Sequence, residues 1–253
     1  MMIGQLQMKK IKAHTAEKTI FGDLLAGIAL TFLDAPYKEA TLEGPGRENL
    51  VVNFRQFDCF TFVESMLALM RWLTSGKKSP REYLRQLKLI RYRGGIIDGY
   101  SSRLHYFTDW LCDNEKKKIL ADITGTLDGR SRRRKIDFMT KNIKFYPALR
   151  NKKQWQKMLA VEKRISRRIF RVINKSKFTV CQKKIQNGDI VAFASAQKGL
   201  DVAHVGFALW QGKNLYLLHA SSKEGAVVIS KKTLAAYLKS NKNYTGVIIA
   251  RPL

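Results

Sequence analysis

Apolar residues recur at three- and four-residue spacing after position 59: Phe62, Val63, Met66, Leu67, Met70 and Leu73. That period predicts a helix with one buried stripe. Asp58 stands where an N-cap belongs, and Ser75-Gly76 ends the run near Thr74. The same period predicts a helix over Thr15–Leu33, with Ile20, Leu24, Leu25, Ile28 and Leu33 on its face. Asp34-Ala35-Pro36-Tyr37 closes it, because proline disfavours helix at the residue before it. Ser79-Pro80-Arg81-Glu82 opens a further helix carrying Tyr83, Leu84, Leu87 and Ile90, and the stretch through Phe107 to Leu111 reads as another. Helical spacing continues in Trp155, Met158 and Leu159, then Ile165, Ile169 and Val172, so 130–184 is expected to be mostly helical.

The period then changes. Residues 188–194, 203–209, 215–219, 226–229 and 244–250 are short β-type runs separated by turns such as Gln211-Gly212-Lys213-Asn214, the pattern of an antiparallel meander. Helices first and strands later predict an α+β fold with helices packed on a sheet. The expected organisation is a basic leader over 1–13 and a single catalytic domain over 14–253. The domain comprises an N-terminal helical segment 14–50, a helix 57–74, a mostly helical basic insertion 76–184 and an antiparallel sheet 185–253.

Charge changes the picture more than composition does. With 253 residues and 45% hydrophobic content the chain can bury a sizeable core, but 47 Lys+Arg against 20 Asp+Glu give it a net charge of +27. The window 130–184 holds 20 Lys+Arg, opposed only by Asp137 and Glu162. Such a balance predicts affinity for something anionic: nucleic acid, acidic lipid or a cell-wall polymer. No apolar stretch is long enough to span a membrane, and the apolar run from Phe21 is interrupted by Asp23 with no cleavage site after it, so it reads as a core helix and not a signal peptide. The three cysteines, Cys59, Cys112 and Cys181, are odd in number and widely spaced, which is no disulfide framework.

Cys59 falls in the first turn of a predicted helix, where unpaired backbone N–H groups and the positive end of the dipole favour thiolate over thiol. Two of the four histidines fall in predicted strands, His204 in one and His219 at the end of the next. Neighbouring strands of a meander can bring them side by side, with the Cys59 helix packed against the same sheet. Thiol, base and orienting group is the set that nucleophilic catalysis requires.

The order of cysteine on a helix, histidine on the second strand and a polar residue on the third resembles the NlpC-type, papain-like cell-wall peptidases. More closely, the chain resembles the N-acetylmuramoyl-L-alanine amidase-like domain family, formerly of unknown function. The matching stretches are Phe32-Leu33-Asp34-Ala35-Pro36-Tyr37 with Thr41-Leu42-Glu43, Phe57-Asp58-Cys59-Phe60-Thr61-Phe62-Val63-Glu64, Arg91-Tyr92-Arg93-Gly94-Gly95, Tyr100 to Phe107, Ile136-Asp137-Phe138-Met139, Gly188-Asp189-Ile190-Val191 and Ala203-His204-Val205-Gly206. The resemblance implies a papain-like core, with the nucleophile helix on an antiparallel sheet and added N-terminal and middle helical segments. It implies cysteine-dependent hydrolysis of the amide between the lactyl group of muramic acid and L-Ala of the stem peptide, with 1,6-anhydro-muropeptides among the candidate substrates. By motif position Cys59 is then nucleophile, His204 base and His219 orienting residue. Ser102, Arg103, His105, Tyr106, Tyr37 and Asp58 are the expected substrate contacts, Arg103 as a bidentate partner for a stem-peptide carboxylate. One departure is Asp34-Ala35, where the family tends to have a glycine before Pro-Tyr.

Three other readings compete. Cleavage between D-Glu and the diamino acid is the activity of NlpC relatives. Zinc held by Cys59, His204 and His219 would make a metal-dependent amidase, although no paired-ligand spacing is present. The basic window, with Phe145, Tyr146, Trp155 and Phe170 among its cations, has the makings of a nucleic-acid surface but contains no reader motif. The expectation is a muropeptide or peptidoglycan substrate, no cofactor or metal, no nucleic acid, and electrostatic association with an anionic envelope. A periplasmic or cell-envelope location follows from the substrate.

Overall fold

The computed structural model describes residues 21–44, 46–77 and 79–253; the leader and the first part of the helix predicted from Thr15 lie outside them. Eight helices are used below: α1 (Phe21–Leu30), α2 (Cys59–Thr74), α3 (Pro80–Arg91), α4 (Phe107–Lys116), α5 (Phe138–Lys141), α6 (Lys152–Ser166), α7 (Lys175–Cys181) and α8 (Leu234–Ser240). Among the described residues there are eight strands: β1 (Leu120–Asp122), β2 (Arg130–Arg133), β3 (Ile169–Asn174), β4 (Ile190–Ser195), β5 (Val202–Gln211), β6 (Asn214–Ser221), β7 (Ala226–Ile229) and β8 (Tyr244–Pro252).

The strands form one antiparallel sheet in the order β2-β3-β8-β4-β5-β6-β7, with β1 also on β8. The predicted meander is β4 to β7, and the chain then returns through α8 to lay β8 beside β4. Both faces of β4 are covered: Ile190, Ala192 and Ala194 face the core shared with α1 to α4, whereas Val191 and Phe193 face the core under α7 and α8. Burial on both sides explains why β4 reads as a continuous apolar run instead of an alternating one.

Helix α2 is the hub of the larger core. Its residues from Thr61 to Met70 are all buried, so it is enclosed on every side and not on one stripe. Phe62 packs edge-on against Phe57 and against Phe207 of β5, each at 5.6 Å between ring centroids. Glu64 is taken into this core as a pair with Arg91 of α3, 2.6 Å apart, and the second Arg91 arm donates to the Val51 carbonyl. An unpaired charge there would be strongly destabilising, so the two residues must be kept or lost together. The α3 start is as expected, with Ser79 capping and Pro80 in the first turn.

The middle segment differs from the expectation. Residues 130–133 and 169–174 are strands β2 and β3, which extend the sheet beyond 185–253. The helical spacing through Ile165, Ile169 and Val172 is coincidental, because α6 ends at Ser166. Val172 and Ile173 are consecutive yet buried in different cores, one on each side of the sheet, which a strand permits and a helix face does not. In the N-terminal segment 14–50, helix is described only for Phe21–Leu30; the other described residues of 31–50 are turns and irregular structure, with isolated bridges at Pro36 and Tyr37.

The two edges of the sheet are finished differently. Along β7, the Asp34 N–H donates to the Val227 carbonyl, the Val227 N–H to Ala35, and the Tyr37 N–H to Gly225. Asp34 reaches this position with φ +67, the left-handed region where glycine fits without strain and where Asp is among the better-tolerated alternatives. At the opposite edge β2 is exposed along its whole length.

Candidate active site

Asp58 builds the start of α2. Its carboxylate accepts the N–H groups of Phe60 at 2.9 Å and Thr61 at 2.7 Å, while the Asp58 N–H donates to the Thr61 hydroxyl. This reciprocal capping box fixes the first turn and with it the Cys59 side chain, which is half-buried. It also engages the Phe60 and Thr61 N–H groups, which a helix start otherwise leaves unpaired. The thiol meets the N–H groups of Val205 in β5 and of Cys59 itself, and shares that of Phe60 with Asp58. Burial, and next the negative Asp58, nevertheless push its pKa up to about 12. At rest Cys59 is a neutral thiol, contrary to the thiolate expected from the helix terminus alone.

The meeting with Val205 places Cys59 beside the strand that carries His204. The β5–β6 ladder runs from Gln211–Asn214 only as far as Phe207–Leu218, so the β5 residues before Phe207 pair with β4 alone and this stretch is open to the helix end. His204 Nε2 lies 2.6 Å from His219 Nδ1, with the rings nearly perpendicular at 85°. Gly206 makes this approach possible: a Cβ there would sit 2.8 Å from His219 Cβ, 2.8 Å from the Leu218 carbonyl oxygen and 2.9 Å from a Leu217 methyl. Burial pushes His204 down to about 3 and His219 down to about 4, so both are neutral near pH 7. With one nitrogen of His204 engaged by His219, its Nδ1 is the nitrogen left for proton exchange.

Around this group stand three tyrosines. Tyr37 hydrogen-bonds Ser222, and Tyr37, Tyr237 and Tyr244 all lie within electrostatic range of Cys59. Burial raises the pKa of each, so all three are neutral donors. The Tyr237 ring also meets His219 edge-on at 5.5 Å. Tyr237 and Tyr244 were not expected from the sequence; they arrive from α8 and β8, and nothing local to them signals the site. A cavity of about 430 Å³ opens at His204, lined also by Ser222, Lys223, Lys232, Lys242 and Tyr244.

The other expected substrate contacts are engaged elsewhere. Arg103 is buried, with Nη2 on Glu43 at 2.7 Å, Nε on Glu48 at 3.3 Å and Nη1 on the Leu42 carbonyl. Its fork faces this chain's own carboxylates, where a substrate carboxylate was expected. Tyr106 is buried too: its hydroxyl donates to Glu162 at 2.7 Å and accepts the Met139 N–H at 2.9 Å, which satisfies it inside the protein. Ser102 bonds the Asp98 N–H and the Gly99 carbonyl, and His105 Nε2 faces the Tyr100 carbonyl at 2.9 Å. Asp58 is the helix cap. Of the six expected contacts only Tyr37 stands close to the thiol with a hydroxyl turned to the same group of residues. A larger cavity, about 730 Å³, is walled by Glu43, Glu48, Tyr100 and Gln154, but carries no thiol or imidazole.

Nor do the three site residues form a ligand set. Two imidazole nitrogens sharing one zinc would be separated by roughly 3.3 Å at ordinary bond lengths. Here they face each other at 2.6 Å, the geometry of a direct hydrogen bond. Among the described residues no group of three His, Cys, Asp or Glu side chains is placed to hold a metal ion. No described helix is long and apolar enough to cross a membrane.

The architecture is α+β, helices on an antiparallel sheet, with a thiol at a helix start and paired imidazoles on the neighbouring strands. The chain belongs to the AmiA-like family, described as N-acetylmuramoyl-L-alanine amidase-like, whose sequence pattern matches residues 27–247. Its structure is similar to an N-acetylmuramoyl-L-alanine amidase from Bacteroides uniformis, with 37% identity and a TM-score of 0.88, covering 92% of this chain and 99% of that one. A Bacteroides fragilis protein described as a candidate xylanase is similar at 37% identity and a TM-score of 0.84, covering 88% and 98%. A Legionella pneumophila protein shares the fold at 22% identity and a TM-score of 0.71, covering 98% and 95%. No curated protein matches the chain.

Proposed function

We propose that the protein is a cysteine-dependent peptidoglycan amidase with a papain-like core, which hydrolyses the bond between the muramic-acid lactyl carbonyl and the nitrogen of L-Ala. The observation that carries this reading is the 2.6 Å His204–His219 contact on the strand whose Val205 N–H meets the Cys59 thiol.

The neutral resting pair sets the order of events. The thiol gives its proton to Nδ1 of His204 as Sγ attacks the lactyl carbonyl. For His204 to accept there, its Nε2 must carry the other proton and donate it to His219 Nδ1, so His219 holds the tautomer and supports the imidazolium. The tetrahedral oxygen is stabilised by the Cys59 N–H, since the Phe60 and Thr61 N–H groups are held by Asp58. The imidazolium then protonates the departing L-Ala amine, leaving a thioester, and a water deprotonated by His204 hydrolyses it. The same substrate gives the cell envelope as the place of action, where the basic surface favours anionic neighbours.

Mass spectrometry of a defined disaccharide-tetrapeptide incubated with wild type and with Cys59→Ala tests this. Free disaccharide plus a tetrapeptide beginning with L-Ala, from wild type only, is the expected result. A disaccharide-dipeptide would move the bond to the D-Glu side, and equal turnover by Cys59→Ala would end the nucleophile assignment.

A further inference from the structure

The cavity at His204 has a feature that the hydrolytic chemistry does not use. Three loops converge on it, one after β6, one between β7 and α8, and one between α8 and β8. Each contributes one lysine: Lys223, Lys232 and Lys242. Among the described residues none of the three has an ion-pair partner, whereas Lys231 in the same region is paired with Glu224 at 3.4 Å. A carboxylate is thus available locally and is spent on the neighbour. Like charges gathered at a concave surface repel one another and raise the local concentration of anions, and an anion entering the cavity relieves that repulsion.

Resting on the amidase reading, we infer that this cavity binds the carboxylates of the departing stem peptide and selects substrates whose peptide is anionic. The chemistry of the substrate decides which half lies here. The lactyl carboxyl is consumed in the scissile amide and the two sugars are uncharged, so every negative charge belongs to the peptide. Lys223, Lys232 and Lys242 therefore mark the leaving-group side of His204, the side to which the imidazolium must deliver its proton. They take the part that Arg103 cannot, since Arg103 is closed by Glu43 and Glu48. Ser222 and Tyr244, which line the same cavity, supply neutral hydrogen bonds beside the lysines.

The test compares disaccharide-L-Ala-D-Glu, with two free carboxylates, against its diamide, measuring kcat/KM for each. Wild type is expected to prefer the dicarboxylate at least about tenfold, the ratio that follows from losing a charged hydrogen bond. Most of the effect should lie in KM, and 0.5 M NaCl should shrink it. In Lys232→Gln/Lys242→Gln the preference should fall to within about twofold. Arg130→Gln/Arg133→Gln removes the same charge from β2, four strands from β5, and should keep the preference. A wild-type ratio near one, or the same collapse in the β2 variant, would overturn the inference while leaving the amidase standing. Failure of wild type to cleave either compound or the disaccharide-tetrapeptide would remove the amidase reading and this inference together, whereas cleavage of the tetrapeptide alone would overturn only this inference.

Discussion

Gly206→Ala is the most informative single change. A Cβ at 206 meets His219 Cβ and the Leu218 carbonyl oxygen at 2.8 Å, against 3.4 Å or more for ordinary contact. Neither atom is the end of a flexible side chain, so β6 must withdraw by about 0.6 Å, an overpacking that costs about 1–3 kcal/mol. For a domain this size each kcal/mol lowers Tm by about 2–4 °C. The 2.6 Å His204–His219 contact would lengthen to about 3.2 Å, the outer limit of a useful N–H···N bond. His204 then loses the group that holds its tautomer, and kcat/KM should fall by about 10²-fold, mainly in kcat. The assay pairs steady-state kinetics on a muropeptide with a thermal melt. Gly212→Ala is the control: it sits at φ +58 with open space around it, so it should lose stability and keep activity. Wild-type kcat/KM in a folded Gly206→Ala protein would refute the role given to the histidine pair.

Cys59→Ala should abolish turnover and leave the melt near wild type, because the capping box of Asp58 and Thr61 does not involve the sulfur; residual hydrolysis above the uncatalysed rate would count against the mechanism. Tyr106→Phe leaves the buried Met139 N–H without its acceptor, which should cost about 1–3 kcal/mol in denaturant unfolding with KM unchanged; a raised KM in a stable variant would restore Tyr106 to substrate binding. His204 and His219 are held below the ordinary imidazole value of 6.5, so the unfolded chain binds more protons than the folded one as pH falls below 6.5. Their contribution to stability is complete above pH 6.5 and is lost progressively towards pH 3–4, at about 1.4 kcal/mol per pH unit for each group well inside that window. Calorimetry between pH 7 and 5 should show Tm falling, and a flat Tm would mean that both titrate normally. On the same grounds kcat/KM should hold at pH 5, with its acid limb lying nearer 4.

Much of this was legible in the order of residues. The Asp58 cap, the Ser75 stop, the Ser79-Pro80 start and the five C-terminal strands are local signals, set by capping chemistry and side-chain period. The adjacency of His204 and His219 was also readable, because a meander puts successive strands side by side. What the sequence could not show is what each polar group faces. Arg103 and Tyr106 have the donors for a ligand, and only the folded chain shows Glu43, Glu48 and Glu162 already there. Strand β3 was hidden because its spacing from Ile165 imitates a helix, and its partners β2 and β8 lie far along the chain. The lysines at 223, 232 and 242 belong to separate loops and have no common pattern to read.

Among the described residues no strand lies on the outer side of β2, and that edge bears on how the protein behaves in solution. A row of free backbone groups on an outer strand is a template on which another copy can polymerise. At one end residues 34–37 close that template; at the other, β2 carries Arg130, Arg132 and Arg133 and no acidic residue. Two copies meeting edge to edge would set arginine against arginine across a strand gap of about 4.8 Å, which disfavours the pairing. Part of the +27 charge thus acts as a dispersant whatever the protein binds. Light scattering should show that concentrated protein stays monodisperse at low ionic strength and that replacing the three arginines with threonine promotes fibrous or granular association.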